Sequence, residues 1–337
     1  ENRRRRVDLY RLGEALMQTV IGRHRRRLNG RKARLVTIDL DPTDDPVHGQ
    51  QQLSLFNGYY RCWCYLPMLA FVSFNDEPQQ YLVAAVLRPG TVHPKVGTVA
   101  LLKRLLPSLR EAFPFAVIRV RLDCGFACPE IYAYLERERV EYLVGKGKNS
   151  VLAEMAAEQL AAAQVAYAEQ DQTVTFYGEG QHLAKSWDRE RRVVYKAEVV
   201  KMPGRKPRDN CRFVVTNMNN RPQEIYRIYR QRGDSENRIK ELKGDLYLDR
   251  LSCTGFWANQ LRLLLTAAAF VLIQDLQLRV RQLRSNNVQV QTLRLMLLKI
   301  GGRIERSVRR ITVHLAASHP WRRQWYLMAR ALGAVVP

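Results

Sequence analysis

Apolar positions recur with two different periods along this 337-residue chain, and the switches between them mark out its elements. Residues 7–21 (VDLYRLGEALMQTVI) place apolar side chains at helical spacing, between the basic clusters Arg3–Arg6 and Arg23–Arg27. In RKARLVTIDLD the period falls to two: Val36, Ile38 and Leu40 share one face of a strand, Asp39 and Asp41 the other. Residues 62–74 and 80–87 predict two further apolar strands, joined by the polar turn Asn75-Asp76-Glu77-Pro78. Three strands connected this way suggest an antiparallel meander. A helix over 96–113, the strand AVIRVRLD ending at Asp123-Cys124-Gly125, a helix over 129–139 and the strand EYLVG follow. This β-β-β-α-β-α-β order implies a mixed sheet with helices on its faces.

From residue 149 the pattern changes. An Ala-rich helix (150–168) precedes three segments of β character, TVTFYGEG, RRVVYKAEVVKM and RFVVTNM, which read as a β-rich insertion. A charged helix from Pro222 to about Asp245 carries Glu236, and a second helix over 256–281 is apolar on one side. A basic helix, the strand RRITVHLA and a terminal helix from Pro320 close the chain. The expected organisation is a basic N-terminal helix and arm (1–33), a first core segment (34–148), the helix and β-rich insertion (149–220), core helices carrying Glu236 (221–282) and a basic C-terminal segment (283–337).

Charge narrows the partner. Lys and Arg outnumber Asp and Glu by 55 to 32, a net charge of +23, which favours a polyanion because each neutralised phosphate releases counterions. An anionic membrane surface is the rival. The longest apolar run, Leu263 to Ile273, is shorter than the roughly 20 residues of a spanning helix and reads as buried. The opening ENRRRR has no initiator Met and no signal peptide, so the N-terminal arm reads as truncated and the protein as cytoplasmic. Six cysteines lack the paired spacing of a metal site and read as reduced and buried, although Cys62-x-Cys64 puts two thiols on one strand face. No Gly-x4-Gly-Lys-Ser/Thr loop and no His-Glu-x2-His occurs, which removes the support for nucleotide-driven work and zinc proteolysis.

The candidate chemistry rests on Asp41, Asp123 and Glu236, each placed where a sheet and a helix would bring it to one point. Converging carboxylates on a basic protein point to divalent ions acting on a phosphodiester, since Mg²⁺ takes oxygen ligands and two ions can serve both the attacking and the leaving oxygen. Asp39 points the same way as Asp41 and is the alternative first acid. Asp44 and Asp45 read as solvated turn residues, and His48 as a loop residue near the site. Arg232 and Glu236 stand four apart and Glu236 and Lys243 seven, one helix face, with a simple Arg232–Glu236 ion pair as the plain alternative. Trp187, among bases in AKSWDRERR, is a candidate base-stacking residue or a ring covering the insertion's own core. Lys201, Arg205, Lys206 and Arg208 in KMPGRKPR read as phosphate contacts or as a solvated loop.

Three stretches resemble one family. TIDLDPTDDPVHG is similar to the first-Asp motif of DDE transposases of bacterial insertion sequences, IRVRLDCGFACPEI to their second, and YRQRGDSENRIKELK to their Tyr-Arg-Glu-Lys signature. The group resembled is transposase DDE domain, group 1, over about 34–279. The resemblance implies an α/β fold, a ribonuclease H-like mixed sheet with flanking helices interrupted by the β-rich insertion. It implies Asp41, Asp123 and Glu236 as ligands of two Mg²⁺ ions, with Mn²⁺ substituting, and favours Asp41 through the Asp-x-Thr pattern with Thr43. It implies DNA contacts at Tyr229, Arg232 and Lys243, and makes Trp187 stacking plausible. Transposon ends and target DNA are the implied partners, bound by a nucleoid-associated homodimer without membrane contact. The activity implied is cutting and strand transfer; the rivals are a nuclease that only hydrolyses and an inactive DNA-binding remnant.

Overall fold

In a computed structural model, which describes residues 6–29, 31–284 and 288–334, the chain divides into two compact units. Unit 1 comprises Glu1–Arg238 with Asp249–Leu264; unit 2 comprises Ile239–Leu248 with Leu265–Pro337. Arg3 to Arg5 of the first basic cluster lie outside the described residues.

Unit 1 opens with α1 (Arg6–Arg27) and β1 (Leu35–Pro42). A small three-stranded sheet follows, built from β2 (Asp45–Pro46), β3 (Leu55–Asn57) and β4 (Cys62–Tyr65) in the order β2-β4-β3. Next come β5 (Met68–Phe74), β6 (Tyr81–Val86), α2 (Thr98–Ala112), β7 (Val117–Leu122), α3 (Pro129–Arg137) and β8 (Glu141–Lys146). The single strand foreseen over 62–74 is therefore two, parted at Leu66-Pro67, where proline has no N–H to give to a ladder. The meander itself holds: β1 pairs antiparallel with β5, and β5 with β6. On its other side β1 pairs in parallel with β7, and β7 with β8.

The β-rich segment continues this sheet. After α4 (Ser150–Met155) and α5 (Ala157–Gln170) come β9 (Val174–His182), β10 (Arg191–Val200) and β11 (Arg208–Thr216). β11 pairs antiparallel with β8, so all eight strands form one sheet, β6-β5-β1-β7-β8-β11-β10-β9. Only Phe213 to Thr216 of β11 pair with β8, and Phe213 meets its last residue, Lys146. The remaining residues of β11, Arg208 to Arg212, run on past the C-terminal end of β8, on the order of 17 Å at the usual strand rise.

Both faces are covered, as the alternation foresaw. Phe74, on the face of Val36, Ile38 and Leu40, packs against His24 of α1 and against Phe113 just after α2. Tyr142 of β8 meets Tyr132 of α3. On the opposite face, α6 (Pro222–Arg230) buries Ile225, Tyr226 and Ile228 against Leu143, Val194 and Val214. At roughly 25 cal/mol per Å² of apolar area, such a cluster contributes several kcal/mol, enough to fix where the end of α6 lies over the sheet.

The helix foreseen from Pro222 is broken. α6 ends at Arg230 and α7 runs Gly233–Leu246, with Gln231 and Arg232 in the joint. α8 (Phe256–Arg284) is longer than its apolar run: Phe256–Arg281 is long and apolar enough by length and composition to cross a membrane. Its first turns nevertheless bury amides bonded to protein. Asn259 reaches Gln51 and the Cys253 carbonyl, and Gln260 reaches the backbone of Leu87 and Ala85. That is the hydrogen bonding of a core helix. In unit 2, α9 (Val290–Leu297), the hairpin β12 (Gly302–Arg306) and β13 (Ile311–Leu315), and α10 (Arg322–Ala331) complete the chain.

Candidate active site

β1 and β7 run in parallel, so their C-terminal ends meet at one edge of the sheet. Their pairing ends at Asp39↔Arg121, and Asp41 and Asp123 each lie two residues further on. The period of two that puts Asp39 and Asp41 on one face thus carries both candidate acids to the same edge. Asp123 caps the short 3-10 turn Cys124–Phe126, where its carboxylate accepts the Gly125 N–H at 2.8 Å. The turn points the chain back toward α3 and leaves the Asp123 carboxyl at the sheet edge.

Arg232, in the joint between α6 and α7, ties the helix acid to the strand acid. Its guanidinium donates to Asp41 Oδ2 at 3.1 Å and to Glu236 Oε1 at 3.3 Å. The Ser235 hydroxyl stands 3.2 Å from the same Asp41 oxygen and 2.8 Å from the Arg232 carbonyl. Burial pushes Asp41 up to about 6; Arg232 opposes the rise, while Asp123 and Glu236 add to it. Arg232 is itself held protonated by Asp41, Tyr229, Asp123 and Glu236, against the cost of its burial. Asp41 therefore feels both Asp123 and Glu236, and one guanidinium bonds the strand acid to the helix acid.

Asp39 has another task. It is fully buried and accepts both Nε (2.8 Å) and Nη2 (2.7 Å) of Arg121, with Gln80 donating to it at 2.7 Å. Arg121 spends its remaining arm on the Ile228 carbonyl (2.9 Å) and Gln231 (3.2 Å), at the end of α6. This pair clamps the α6–α7 joint to the sheet and leaves Asp41 as the acid at the edge.

Tyr229 is half-buried over β8. A Cβ on Gly145 would stand 2.5 Å from its hydroxyl and 3.0 Å from the Cys124 amide, so the ring and the turn after Asp123 reach the strand only because residue 145 is glycine. Burial raises the Tyr229 phenol, Arg232 opposes this, and Asp123 adds to it. Lys243 lies seven residues beyond Glu236 on α7, in the stretch that groups with unit 2.

The basic candidates separate. Lys201 is engaged with Asp171 at 2.6 Å, whereas Arg205 and Lys206 are exposed in the β10–β11 loop, beyond the edge that bears Asp41 and Asp123. Trp187 is only 7% exposed. Its ring packs on Tyr132 and His182, with Arg191 and Lys146 over it, so it fills the interior beside α3 and is no surface platform. Asp45, read as solvated, is buried because β2 pairs with β4 and sets it opposite Tyr65.

Residues the sequence did not single out complete the site. Ser235, Arg121, Gly145 and Tyr60 all border it, and only Ser235, beside Glu236, had a positional cue. The Tyr60 phenol is pushed up to about 12 by burial, with Asp44, Tyr59, Asp41 and Asp123 adding to the rise, which sets it within electrostatic reach of both strand acids. Among the described residues no three His, Cys, Asp or Glu side chains form a group able to hold a metal ion. Glu236 turns its carboxylate to solvent and to Arg232.

The strand order, with acids at the parallel edge and a helix crossing above them, defines a ribonuclease H-like fold. The chain belongs to the family described as transposase DDE domain group 1, which matches it over residues 1–336. Comparison with curated proteins returned no match.

Proposed function

We propose that this protein is the transposase of a bacterial insertion sequence, cutting its ends and joining them to target DNA. One observation carries the reading: Arg232 bonds both Asp41 and Glu236, distant in sequence, at the sheet edge where β7 also brings Asp123. Family membership supports a transposase and a DNA substrate.

The donor set fits a hard divalent cation in kind, since it offers carboxylate oxygens alone. Burial chiefly raises Asp41, and the smaller repulsion from Asp123 and Glu236 that adds to the rise is what a cation would relieve. Asp41, Asp123 and Glu236 would hold two Mg²⁺, or Mn²⁺, ions. When bound, these would lower the cost of charge on the attacking and leaving oxygens of a phosphodiester. Arg232, already among the acids, would then be released toward a phosphate oxygen, where a guanidinium forms paired charge-assisted bonds. Tyr229 would contact the DNA strand beside Asp123, and Lys243 is a further proposed DNA contact. Arg205, Lys206 and Arg208, with Lys201 once freed from Asp171, would neutralise the backbone further along. A homodimer on paired ends is the assembly that the family membership leads us to expect.

The deciding experiment is Mg²⁺- or Mn²⁺-dependent cleavage and joining of the element's own end DNA, wild type beside Asp41→Ala and Asp123→Ala. Joined products from wild type that vanish in both variants, with DNA binding kept, are the expected result. Cleavage without joined products would make the protein a nuclease, and a folded, DNA-binding wild type that never cuts would make it an inactive remnant. Full activity in Asp123→Ala would overturn the site.

A further inference from the structure

The β3–β4 hairpin carries a surface that the acids and basic loops leave unused. Phe56 and Trp63 lie directly opposite each other across it, rings 6.2 Å apart, and both face solvent at 51% and 57% exposure. Tyr59 at the tip is 86% exposed, and Arg61 beside it is exposed as well. The tip is firmly built. Asn57 accepts the Tyr59 and Tyr60 amides at 2.9 and 3.2 Å and donates to the Gly90 carbonyl at 2.7 Å. A Cβ at residue 90 would collide with the carbonyl oxygens of Leu55 and Cys64, so that loop crosses the hairpin in direct backbone contact. The hairpin follows Asp41 closely in the chain through β2, which pairs with β4, and its Tyr60 lies within electrostatic reach of Asp41 and Asp123.

We propose that Phe56, Tyr59 and Trp63 form a stacking platform for unpaired bases of the DNA strand that passes the candidate active site. The inference rests on the function proposed above and names where the strand goes. Aromatic faces stack on any base, and a cation beside them takes the backbone phosphate, which is the composition of this tip. A second copy of the chain is a poorer occupant. The exposed parts of three rings amount to roughly 400 Å², about half of what one partner contributes to a stable dimer. The platform also does what buried Trp187 does not: it offers open ring faces, on a hairpin whose Tyr60 is within electrostatic reach of the acids.

Binding of the full-length protein to two fluorescent end-sequence probes, in the presence of a chelator so that no cutting intervenes, tests this. One probe is fully paired; the other carries a short single-stranded extension. Wild type is expected to prefer the extended probe by about tenfold, the scale of one good base–aromatic stack. Tyr59→Ala and Trp63→Ala should each remove most of that preference and leave affinity for the paired probe unchanged. Trp63→Phe should retain it. Equal affinity of wild type for both probes, or variants that keep the preference, would overturn the platform. So would a concentration-dependent dimer that Trp63→Ala dissolves. Loss of the preference in these variants beside full cleavage by Asp41→Ala would leave the platform standing and sink the proposed catalytic site.

Discussion

Asp39 and Asp41 sit two residues apart on β1 and face the same way, yet their neighbours divide the work between them. Asp39 is sealed against Arg121 and Gln80 deep on the face, while Asp41 stands at the edge with Asp123 and Arg232. Removing one partner of a buried pair leaves the other charged and unsolvated. Asp39→Ala is therefore expected to destabilise unit 1 by about 3–5 kcal/mol, read as a fall in the urea midpoint. The double replacement Asp39→Leu with Arg121→Met should recover much of that stability and still lower activity, because the α6–α7 joint loses its tie to the sheet. Gly145 makes a second claim at this scale. Gly145→Ala pushes a methyl into the Tyr229 hydroxyl and the Cys124 amide, and overpacking of this kind costs about 1–3 kcal/mol. A lower melting temperature together with slowed cleavage checks it; an unchanged protein would mean that the ring moves aside freely.

Elements carry the next effects. α1 docks on the sheet through His24, whose ring stacks on Phe74 at 4.7 Å and packs at a tilt against Tyr81 at 4.0 Å. Burial, helped by Arg27 and Arg23, lowers its pKa from 6.5 to about 3. Arg27 donates to its Nδ1 at 3.0 Å, a bond that only the neutral ring accepts there. The unfolded chain takes up a proton near pH 6.5 that the folded one refuses. This contribution to stability is complete above that pH and is lost as pH falls from about 6.5 toward 3. The slope is at most about 1.4 kcal/mol per pH unit. Melting temperatures taken between pH 7 and pH 5 should fall in wild type and flatten in His24→Leu. The break between α6 and α7 belongs to this scale as well. It turns Arg232 out of a helix face and into the joint, where it meets Asp41 as well as Glu236. A single unbroken helix would leave it the intrahelical pair alone.

Across the whole molecule, the net charge of +23 favours a polyanion, and the β10–β11 loop is the part proposed above to meet DNA. Log affinity for duplex DNA should fall linearly with log salt, with a slope of about −0.9 for each phosphate neutralised. Arg205→Ala and Lys206→Ala are each expected to make that slope shallower by about one unit without altering the fold, since both side chains are exposed. A slope unchanged in both would place the DNA elsewhere on the surface.

How much of this was legible in the sequence follows from the range of the interactions involved. Side-chain alternation on β1, the meander turn at Asn75, the helix over α2 and the acids at two strand ends depend on neighbours a few residues apart, so local pattern reported them. Pairing of β11 with β8, which makes the β-rich segment part of the core sheet, depends on residues some 70 positions apart and left no local trace. The same holds for Trp187. Its basic surroundings in the chain left a stacking ring and a ring covering the insertion's own core equally open; Tyr132, distant in sequence, packs on it, while Phe56, Tyr59 and Trp63 stay open. The chain by itself determined which elements form and which residue types each presents, because backbone sterics and apolar periodicity act within an element. Tertiary structure alone decided which carboxylate is sealed, which rings face solvent and that Arg232 lies among three acids, because burial and charge coupling are set by whatever packs against a side chain from elsewhere in the fold.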